Sequence, residues 1–208
     1  MRIYFCRHGE SQANLIHAVS NRGLRHGLTQ AGRQQAAALA DRLARLQDEG
    51  RPLTRIYASP VLRALETSIL LANHLHLEYE VTDALREYDC GEIEGRSDEA
   101  AWQQWRELFD AWVIHRQWER RIPGGENFHD LQARFVPFID GLVQQFGGTE
   151  TGLVCVSHGG IYWMMLPLVL ANVNHALIQQ YDFDYTTCIT AELTPNGLVC
   201  LDWNGVTL

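Results

Sequence analysis

The sequence contains no long apolar segment and no pattern typical of an export signal. Its longest apolar run, Ile161–Ala171, has 11 residues and includes Pro167, whereas a membrane-spanning helix needs about 18. The apolar run Ile3–Cys6 is too short for the core of a signal peptide, and Arg7 ends it. These absences lead us to expect a soluble, cytoplasmic protein.

Cysteine is scarce, and its spacing fits neither a disulfide framework nor a metal site. The five cysteines are odd in number, widely separated and never arranged as Cys-x-x-Cys. Four lie in apolar, strand-like runs, where cysteine behaves as a small hydrophobic residue. The chain also lacks internal repeats, low-complexity tracts and a long linker. We therefore expect reduced thiols and one domain spanning residues 1–208.

Basic residues are fewer than acidic residues in this chain. The 208 residues include 17 Lys+Arg and 25 Asp+Glu, a formal net charge of −8 with histidine neutral. A negative surface repels polyanions, so we expect neither nucleic-acid nor membrane partners unless a basic patch overrides the mean charge. The 46% hydrophobic and 20% charged content supplies enough apolar surface for a sizeable core. The composition leaves a homo-oligomer open.

Apolar runs alternate with helical patterns along most of the chain, which is typical of a three-layer α/β/α sandwich with a mainly parallel central sheet. Thr29 is a predicted helix N-cap, and Ser59 with Pro60 is predicted to begin another helix. Asn196-Gly197 separates two strand-like runs and predicts a C-terminal antiparallel hairpin. Predicted strands are 3–6, 55–58, 78–81, 153–156, 189–193 and 198–201; predicted helices are 30–46, 60–70, 130–146 and 160–170.

A helical cap insertion is predicted at about 96–123. Four aromatic residues there are spaced by 3, 4 and 3 positions, which places them on one face of a helix: Trp102, Trp105, Phe109 and Trp112. The same segment contains four arginines that either meet a second anionic group of a substrate or form a solvated face, and the sequence leaves both open. These arginines are Arg106, Arg116, Arg120 and Arg121.

Two predicted strands end in the same local pattern. His8-Gly9 and His158-Gly159 each follow an apolar strand and one polar residue. Ligands of open α/β sheets bind at the carboxyl ends of the strands, so neighbouring strands would bring the two imidazoles into one crevice. The alternative for either histidine alone is a structural, hydrogen-bonded residue.

Two arginines add positive charge to this predicted crevice. Arg63 lies in the first turn of a predicted helix, where the helix dipole disfavours a cation but would help to bind an anion. Arg63 and Arg7 together provide two guanidinium groups, which are well suited to bind a phosphate group. The alternative for Arg63 is a surface arginine or one paired with a carboxylate such as Glu66.

These residues lie in six ordered blocks that span nearly the whole chain, and together the blocks resemble the histidine phosphatase superfamily, whose members are phosphoglycerate-mutase-like proteins. The R-H-G triplet alone is a moderate signal, whereas the six blocks in order are specific. The blocks are Arg7–Ser11 with Asn14, His26–Ala36, Tyr57–Thr67, Leu85–Gly95, Pro123–Glu126 and Ser157–Gly160.

The resemblance implies a role for each matched residue. His8 would attack phosphorus and become a phosphohistidine, which requires a neutral imidazole. Glu87 would protonate the leaving alkoxide and later activate water, with Asp89 and Glu92 as nearby alternatives. The remaining matched residues would bind the phosphoryl oxygens, and no metal or other cofactor is implied. Those residues are Arg7, Asn14, Arg63, His158 and Gly159.

Within this resemblance, three features favour phosphate release over phosphate transfer. The block around Glu87 resembles the phosphatase branch, Gly160 stands where mutases usually have asparagine, and the chain is short for a complete mutase cover. We therefore expect a metal-independent phosphomonoesterase of the histidine acid phosphatase type that acts on a small phosphorylated metabolite. The alternatives are a phosphoglycerate-type mutase and a noncatalytic phosphoprotein-binding member of the fold.

Overall fold

A seven-stranded sheet forms the centre of the protein, and the computed structural model describes residues 1–208. The strands are β1 (Arg2–Arg7), β2 (Leu53–Ala58), β3 (Tyr79–Val81), β4 (Gly152–Ser157), β5 (Cys188–Thr194), β6 (Gly197–Trp203) and β7 (Val206–Thr207). Their order across the sheet is β3-β2-β4-β1-β5-β6-β7. The first four of these strands are parallel, and the last three pair antiparallel. The predicted parallel sheet with a C-terminal hairpin is confirmed.

Seven helices connect and cover the strands. They are α1 (Gln12–Leu15), α2 (Gln30–Asp48), α3 (Leu62–Leu75), α4 (Glu99–Val113), α5 (Phe128–Phe146), α6 (Gly159–Val169) and α7 (His175–Ile178). The predicted N-cap Thr29 is confirmed, because its hydroxyl accepts a hydrogen bond from the Gly32 amide at 2.9 Å. No helix combines the length and the apolar character that crossing a membrane would require.

The side chains of the central strands alternate between two apolar cores, one on each face of the sheet. Ile3 and Phe5 of β1 join the core formed with α4, α5 and α6. Tyr4 and Cys6 join the other core, formed with α2 and α3. Both faces are therefore covered, as expected for strands that read as continuous apolar runs. This arrangement is the predicted three-layer sandwich.

The sheet topology brings three strand ends together. β1 and β4 are parallel neighbours whose last residues, Arg7 and Ser157, are paired. β2 lies on the other side of β4, with Ala58 beside Val156. The residues that follow β1, β4 and β2 consequently meet at one edge of the sheet.

Two element boundaries differ from those expected. Helix α3 begins at Leu62 after the N-cap residue Val61, so the predicted cap at Ser59 is wrong. The Ser59 hydroxyl accepts from the Val61 amide at 3.3 Å, one residue before the helix begins, and also forms a hydrogen bond with Nε2 of His158 at 2.8 Å. Helix α4 ends at Val113, which leaves 114–123 without a regular helix. All five cysteines are free and buried, as predicted.

Candidate active site

A cavity of about 420 Å³ opens at the carboxyl ends of β1 and β4. Its wall combines basic groups with aromatic rings, which come from segments distant in sequence. All but one of the site residues predicted from the sequence line it: Arg7, His8, Asn14, Arg63, Glu87 and Gly159. The exception is His158, which is completely buried behind the surface of the cavity.

His8 is held in a single protonation state by its two hydrogen bonds. Its Nδ1 lies 2.6 Å from the Gly9 carbonyl oxygen, and its Nε2 lies 2.9 Å from Nε of Arg63. An arginine can only donate and a carbonyl can only accept, so Nδ1 carries the proton and the lone pair of Nε2 accepts the hydrogen bond from Arg63. Burial, with the positive charges of Arg63 and Arg7, holds the pKa of His8 well below 6.5. His8 is therefore a neutral imidazole.

Gly9 permits the chain to leave β1 in the direction that positions His8. A β-carbon at Gly9 would lie 2.4 Å from the carbonyl oxygen of Gly32, so no other residue fits against the start of α2. The Gly9 amide also donates to the hydroxyl of Thr67 in α3, at 3.2 Å. The sequence His8-Gly9 thus fixes the imidazole between α2 and α3.

Arg63 lies behind His8 as a buried cation without an ion-pair partner. It is 6% exposed, and it donates to the Ser20 carbonyl oxygen and, at 3.5 Å, to Oδ1 of Asn21. Burial lowers its pKa to about 10, so it stays charged at neutral pH. The alternative in which Glu66 neutralises Arg63 is wrong, because Glu66 pairs with Arg33 at 3.3 Å.

Arg7 supplies a second cation that also forms no ion pair. It donates to the Phe183 carbonyl oxygen, and its guanidinium carbon lies 4.6 Å from the centre of the Tyr185 ring. Its buried Nε has no hydrogen-bond partner within the protein. The carbonyl oxygen of the Asn14 side chain accepts from the amide and the hydroxyl of Ser11, at 3.0 and 2.7 Å. The amide hydrogens of Asn14 therefore remain free to donate.

The ring of His158 packs edge-on against His8, with 5.1 Å between the ring centres. The predicted convergence of the two imidazoles is thus present in the structure. Burial and the charges of Arg63 and its neighbours hold the pKa of His158 well below 6.5, so it is also neutral. Its Nδ1 has no hydrogen-bond partner within the protein. Because His158 does not line the cavity, a direct contact between its ring and phosphate stays a prediction.

Glu87 contributes a buried carboxyl group to the cavity wall. It is 8% exposed, and its two oxygens accept from the amides of Gly160 at 3.0 Å and Tyr88 at 3.1 Å. Burial raises the pKa of Glu87, although Arg63 and these hydrogen bonds act in the opposite direction. The net effect raises the pKa of Glu87 above its ordinary value, which extends the pH range in which this carboxyl group can donate a proton.

The two alternative acids lie outside the cavity. Asp89 forms an ion pair with Arg22 at 2.6 Å and accepts a hydrogen bond from the Gly91 amide at 2.8 Å. Glu92 is exposed to solvent. Neither carboxylate is therefore positioned to act on a group bound beside His8.

Arg134 organises the loop that bears Glu87, and sequence reasoning missed it. From α5 it donates to the carbonyl oxygens of Ala84 at 3.0 Å and Arg86 at 2.8 Å. It also pairs with Glu126 at 3.0 Å. Glu126 lies in one of the six blocks that carry the family resemblance. The need of its carboxylate for a cationic partner was the one sequence signal that could have pointed to an arginine here.

The predicted aromatic face of α4 is divided between the cavity and the core. Trp102, Trp105 and Phe109 line the cavity, whereas Trp112 is fully buried with its ring 5.5 Å from that of Tyr88. None of the four cap arginines lines the cavity. Arg106, Arg120 and Arg121 pair with Glu99, Glu107 and Asp130, and Arg116 borders a separate surface cleft.

Comparison with known proteins agrees with this arrangement. Residues 3–205 match the family model of the histidine phosphatase superfamily (branch 1). The chain belongs to this superfamily. It is 32% identical over 199 residues to a 6-phosphofructo-2-kinase/fructose-2,6-bisphosphatase of Caenorhabditis elegans, a match that covers 95% of this chain and 40% of the relative. It is 29% identical to the bifunctional protein Rv2228c of Mycobacterium tuberculosis, covering 94% of this chain and 51% of that one.

Solved structures of other proteins share the fold of this histidine phosphatase superfamily member. The YhfR protein of Bacillus stearothermophilus aligns with a TM-score of 0.80 at 24% identity, covering 99% of this chain and 98% of that chain. The alpha-ribazole phosphatase of Shigella flexneri aligns with a TM-score of 0.77 at 23% identity, covering 98% and 96%. The chain spans about half or less of the length of the curated relatives it matches.

Proposed function

We propose that this protein is a metal-independent phosphomonoesterase of the histidine acid phosphatase type, which hydrolyses a small phosphorylated metabolite through a phosphohistidine on His8. The observation that carries the proposal is the state of His8: a neutral imidazole whose unprotonated Nε2 accepts only from Arg63, beside two cations that have no carboxylate partner. A phosphate dianion would supply the anionic partner that Arg7 and Arg63 lack. The same anion presents its phosphorus to a nucleophile.

In the first step, Nε2 of His8 attacks phosphorus. An N–P bond forms while the bond between phosphorus and the ester oxygen breaks. The N–H group of Arg63 that lies on this lone pair moves to a phosphoryl oxygen, and Arg7 and the amide of Asn14 donate to the others. Glu87 gives its proton to the departing alkoxide, a role suited to a buried carboxyl group with a raised pKa.

In the second step, water replaces the leaving group. Glu87, now a carboxylate, removes a proton from this water as its oxygen attacks phosphorus, and the N–P bond breaks to release inorganic phosphate and neutral His8. The two guanidinium groups stabilise the charge on the phosphoryl oxygens in both steps, the role that metal ions play in two-metal phosphatases. His158, packed against His8, is proposed to donate to the same oxygens.

Gly160 and the phosphatase relatives support hydrolysis over transfer. The side chain of an asparagine at position 160 would collide with the Glu87 carboxyl group and the Tyr88 ring, as a β-carbon alone would lie within 2.8 Å of both. The curated relative in C. elegans includes a fructose-2,6-bisphosphatase, and the structural neighbour from S. flexneri is a phosphatase. A complete set of reactive groups also speaks against a noncatalytic phosphoprotein-binding role.

The proposal is tested by phosphate release from p-nitrophenyl phosphate, with and without the chelator EDTA. We expect turnover that EDTA does not reduce, loss of at least about 1,000-fold in His8→Ala, and a phosphorylated protein trapped from the wild type by quenching in base. The control is His74→Ala, since His74 is an exposed histidine paired with Asp41 at 3.2 Å outside the cavity. Undiminished activity in His8→Ala would show that the nucleophile is misassigned.

Two further outcomes separate the alternatives. Isomerisation of a phosphoglycerate faster than release of its phosphate would establish a mutase. Absence of turnover of the aryl phosphate from acid to neutral pH, with or without added metal, would refute the phosphatase function and favour a noncatalytic member of the fold.

A further inference from the structure

The cavity that holds His8 has an aromatic wall beside its basic groups. Trp102, Trp105 and Phe109 come from α4, Trp163 from α6, and Phe183 from the segment before β5. Four of the rings form a continuous series, with neighbouring centres 5.8, 5.5 and 4.7 Å apart from Trp102 to Trp163. A group bound to phosphate in this cavity therefore borders on aromatic surface.

This wall is held in place before any ligand binds. Trp105 and Phe109 are stacked with 19° between their planes, and the indole N–H of Trp102 donates to the His17 carbonyl oxygen at 2.7 Å. Helix α4 itself is fixed at its start by Asp98, whose side chain accepts from the Ala101 amide. A rigid aromatic surface binds a flat ring with little loss of conformational entropy.

The charges around the cavity exclude a second anion. The chain contains no lysine, so each of its 17 basic residues other than histidine is an arginine. Among them, only Arg7 and Arg63 line the cavity, and the phosphate group requires both. The acidic groups on the wall are Glu87 and Asp182. A carboxylate or second phosphate on the substrate would thus approach aromatic rings and Asp182 without a cation to compensate its charge.

We propose that the substrate is a monophosphate ester whose leaving group is uncharged and contains a flat aromatic ring that stacks on this wall. The proposal rests on the function proposed above and narrows it: phosphoglycerates and sugar bisphosphates, which carry a second anion, are excluded as preferred substrates. A cavity of about 420 Å³ has room for such a ring beside the phosphate. Helix α4, together with Trp163 and Phe183, forms the wall that selects this leaving group.

The test compares three esters in one phosphate-release assay: 1-naphthyl phosphate, phenyl phosphate and 4-carboxyphenyl phosphate. We expect kcat/KM to fall in that order, with the carboxylated ester below phenyl phosphate by roughly tenfold or more. The carboxyl substituent withdraws electrons and makes the phenol a better leaving group. Intrinsic reactivity therefore works against the expected order, which makes the comparison stringent.

Two variants identify the wall as the cause. Phe109→Arg places a cation on the wall and should narrow or reverse the preference of phenyl over 4-carboxyphenyl phosphate, chiefly through KM. Arg106→Ala is the matched control, because Arg106 lies on the same helix but pairs with Glu99 outside the cavity. This control should leave the ranking of the three esters unchanged. Thermal unfolding of both variants verifies that they fold. If Phe109→Arg does not fold, the ranking of the three esters by the wild type still decides the proposal.

The two proposals fail in different ways. No phosphate release from any of the three esters refutes the phosphatase function. A kcat/KM for 4-carboxyphenyl phosphate equal to or above that for phenyl phosphate refutes only the proposed preference for an uncharged aromatic leaving group. If Arg106→Ala then abolished that preference for the carboxylated ester, a cap arginine would be assigned as the site of a second anion.

Discussion

Replacement of Gly160 by alanine should disable the proposed proton donor while the fold remains intact. A β-carbon at Gly160 would lie 2.8 Å from both oxygens of Glu87 and 2.6 Å from a ring carbon of Tyr88. Tyr88 is fully buried and packed against Trp105 and Trp112, which limits how far its ring can shift. The Glu87 carboxyl group must therefore move, and it loses its hydrogen bond from the Gly160 amide.

The size of the effect follows from the role of Glu87. General acid catalysis contributes about 100-fold to 10,000-fold, so we expect Gly160→Ala to lose at least about 100-fold in kcat for phenyl phosphate. p-Nitrophenyl phosphate needs little protonation of its leaving group and should lose far less. Overpacking destabilises by about 1–3 kcal/mol, and replacement of a helical glycine recovers about 1 kcal/mol. The variant should therefore still fold.

The assay measures kcat for both esters and thermal unfolding for the wild type and two glycine variants. Gly141→Ala is the matched control, because Gly141 also lies within a helix but a β-carbon there meets nothing within 4 Å. It should keep full activity and unfold about 2–4 °C higher, as expected for about 1 kcal/mol in a chain of this size. Equal losses of Gly160→Ala on the two esters, or full activity on phenyl phosphate, would refute this reasoning.

Two further predictions concern the same proton donor. Glu87→Gln should lose about 100-fold or more on phenyl phosphate, whereas Asp89→Asn, outside the cavity and paired with Arg22, should stay within a few-fold of the wild type; a reversed result would reassign the acid to Asp89. The profile of kcat/KM against pH should be bell-shaped, since the proposed mechanism requires neutral His8 and protonated Glu87. Its acid limb should lie below pH 6.5, because the pKa of His8 is lowered. Its alkaline limb should lie above pH 4.5, because the pKa of Glu87 is raised, and this limb should disappear in Glu87→Gln. An acid limb at or above pH 6.5 would contradict the environment described for His8.

The meeting of the two histidines was predictable from sequence because it depends on local patterns and on one topological rule. Each apolar run before His8 and His158 predicts a buried strand, and parallel neighbouring strands end at the same edge of a sheet. The spacing of aromatic residues likewise predicted α4, since helical periodicity is a property of a short segment. Local signals thus supplied the scaffold and the first two groups of the site.

The partners of these groups were not predictable because they come from distant segments with no pattern of their own. The oxygen that holds Arg63 belongs to the backbone of Ser20, and any residue could supply it. Ser59 carried a strong local preference for a helix cap, but the helix N-cap lies two residues later, and the Ser59 hydroxyl bonds both to the Val61 amide and to the distant His158. Which aromatic residues of α4 face the cavity depends on packing against α6, which periodicity alone does not reveal.

The net charge of −8 and the basic site are compatible because they occupy different parts of the molecule. Most acidic groups lie on the surface, where water and salt screen them within about 10 Å. Arg7 and Arg63 instead lie at the cavity, without carboxylate partners and partly removed from water, which destabilises the folded state. A bound phosphate dianion would offset this cost, whereas an internal carboxylate would remove both the cost and the site. The missing ion pairs of these two arginines are therefore the electrostatic basis of the anion binding that we propose for this acidic protein.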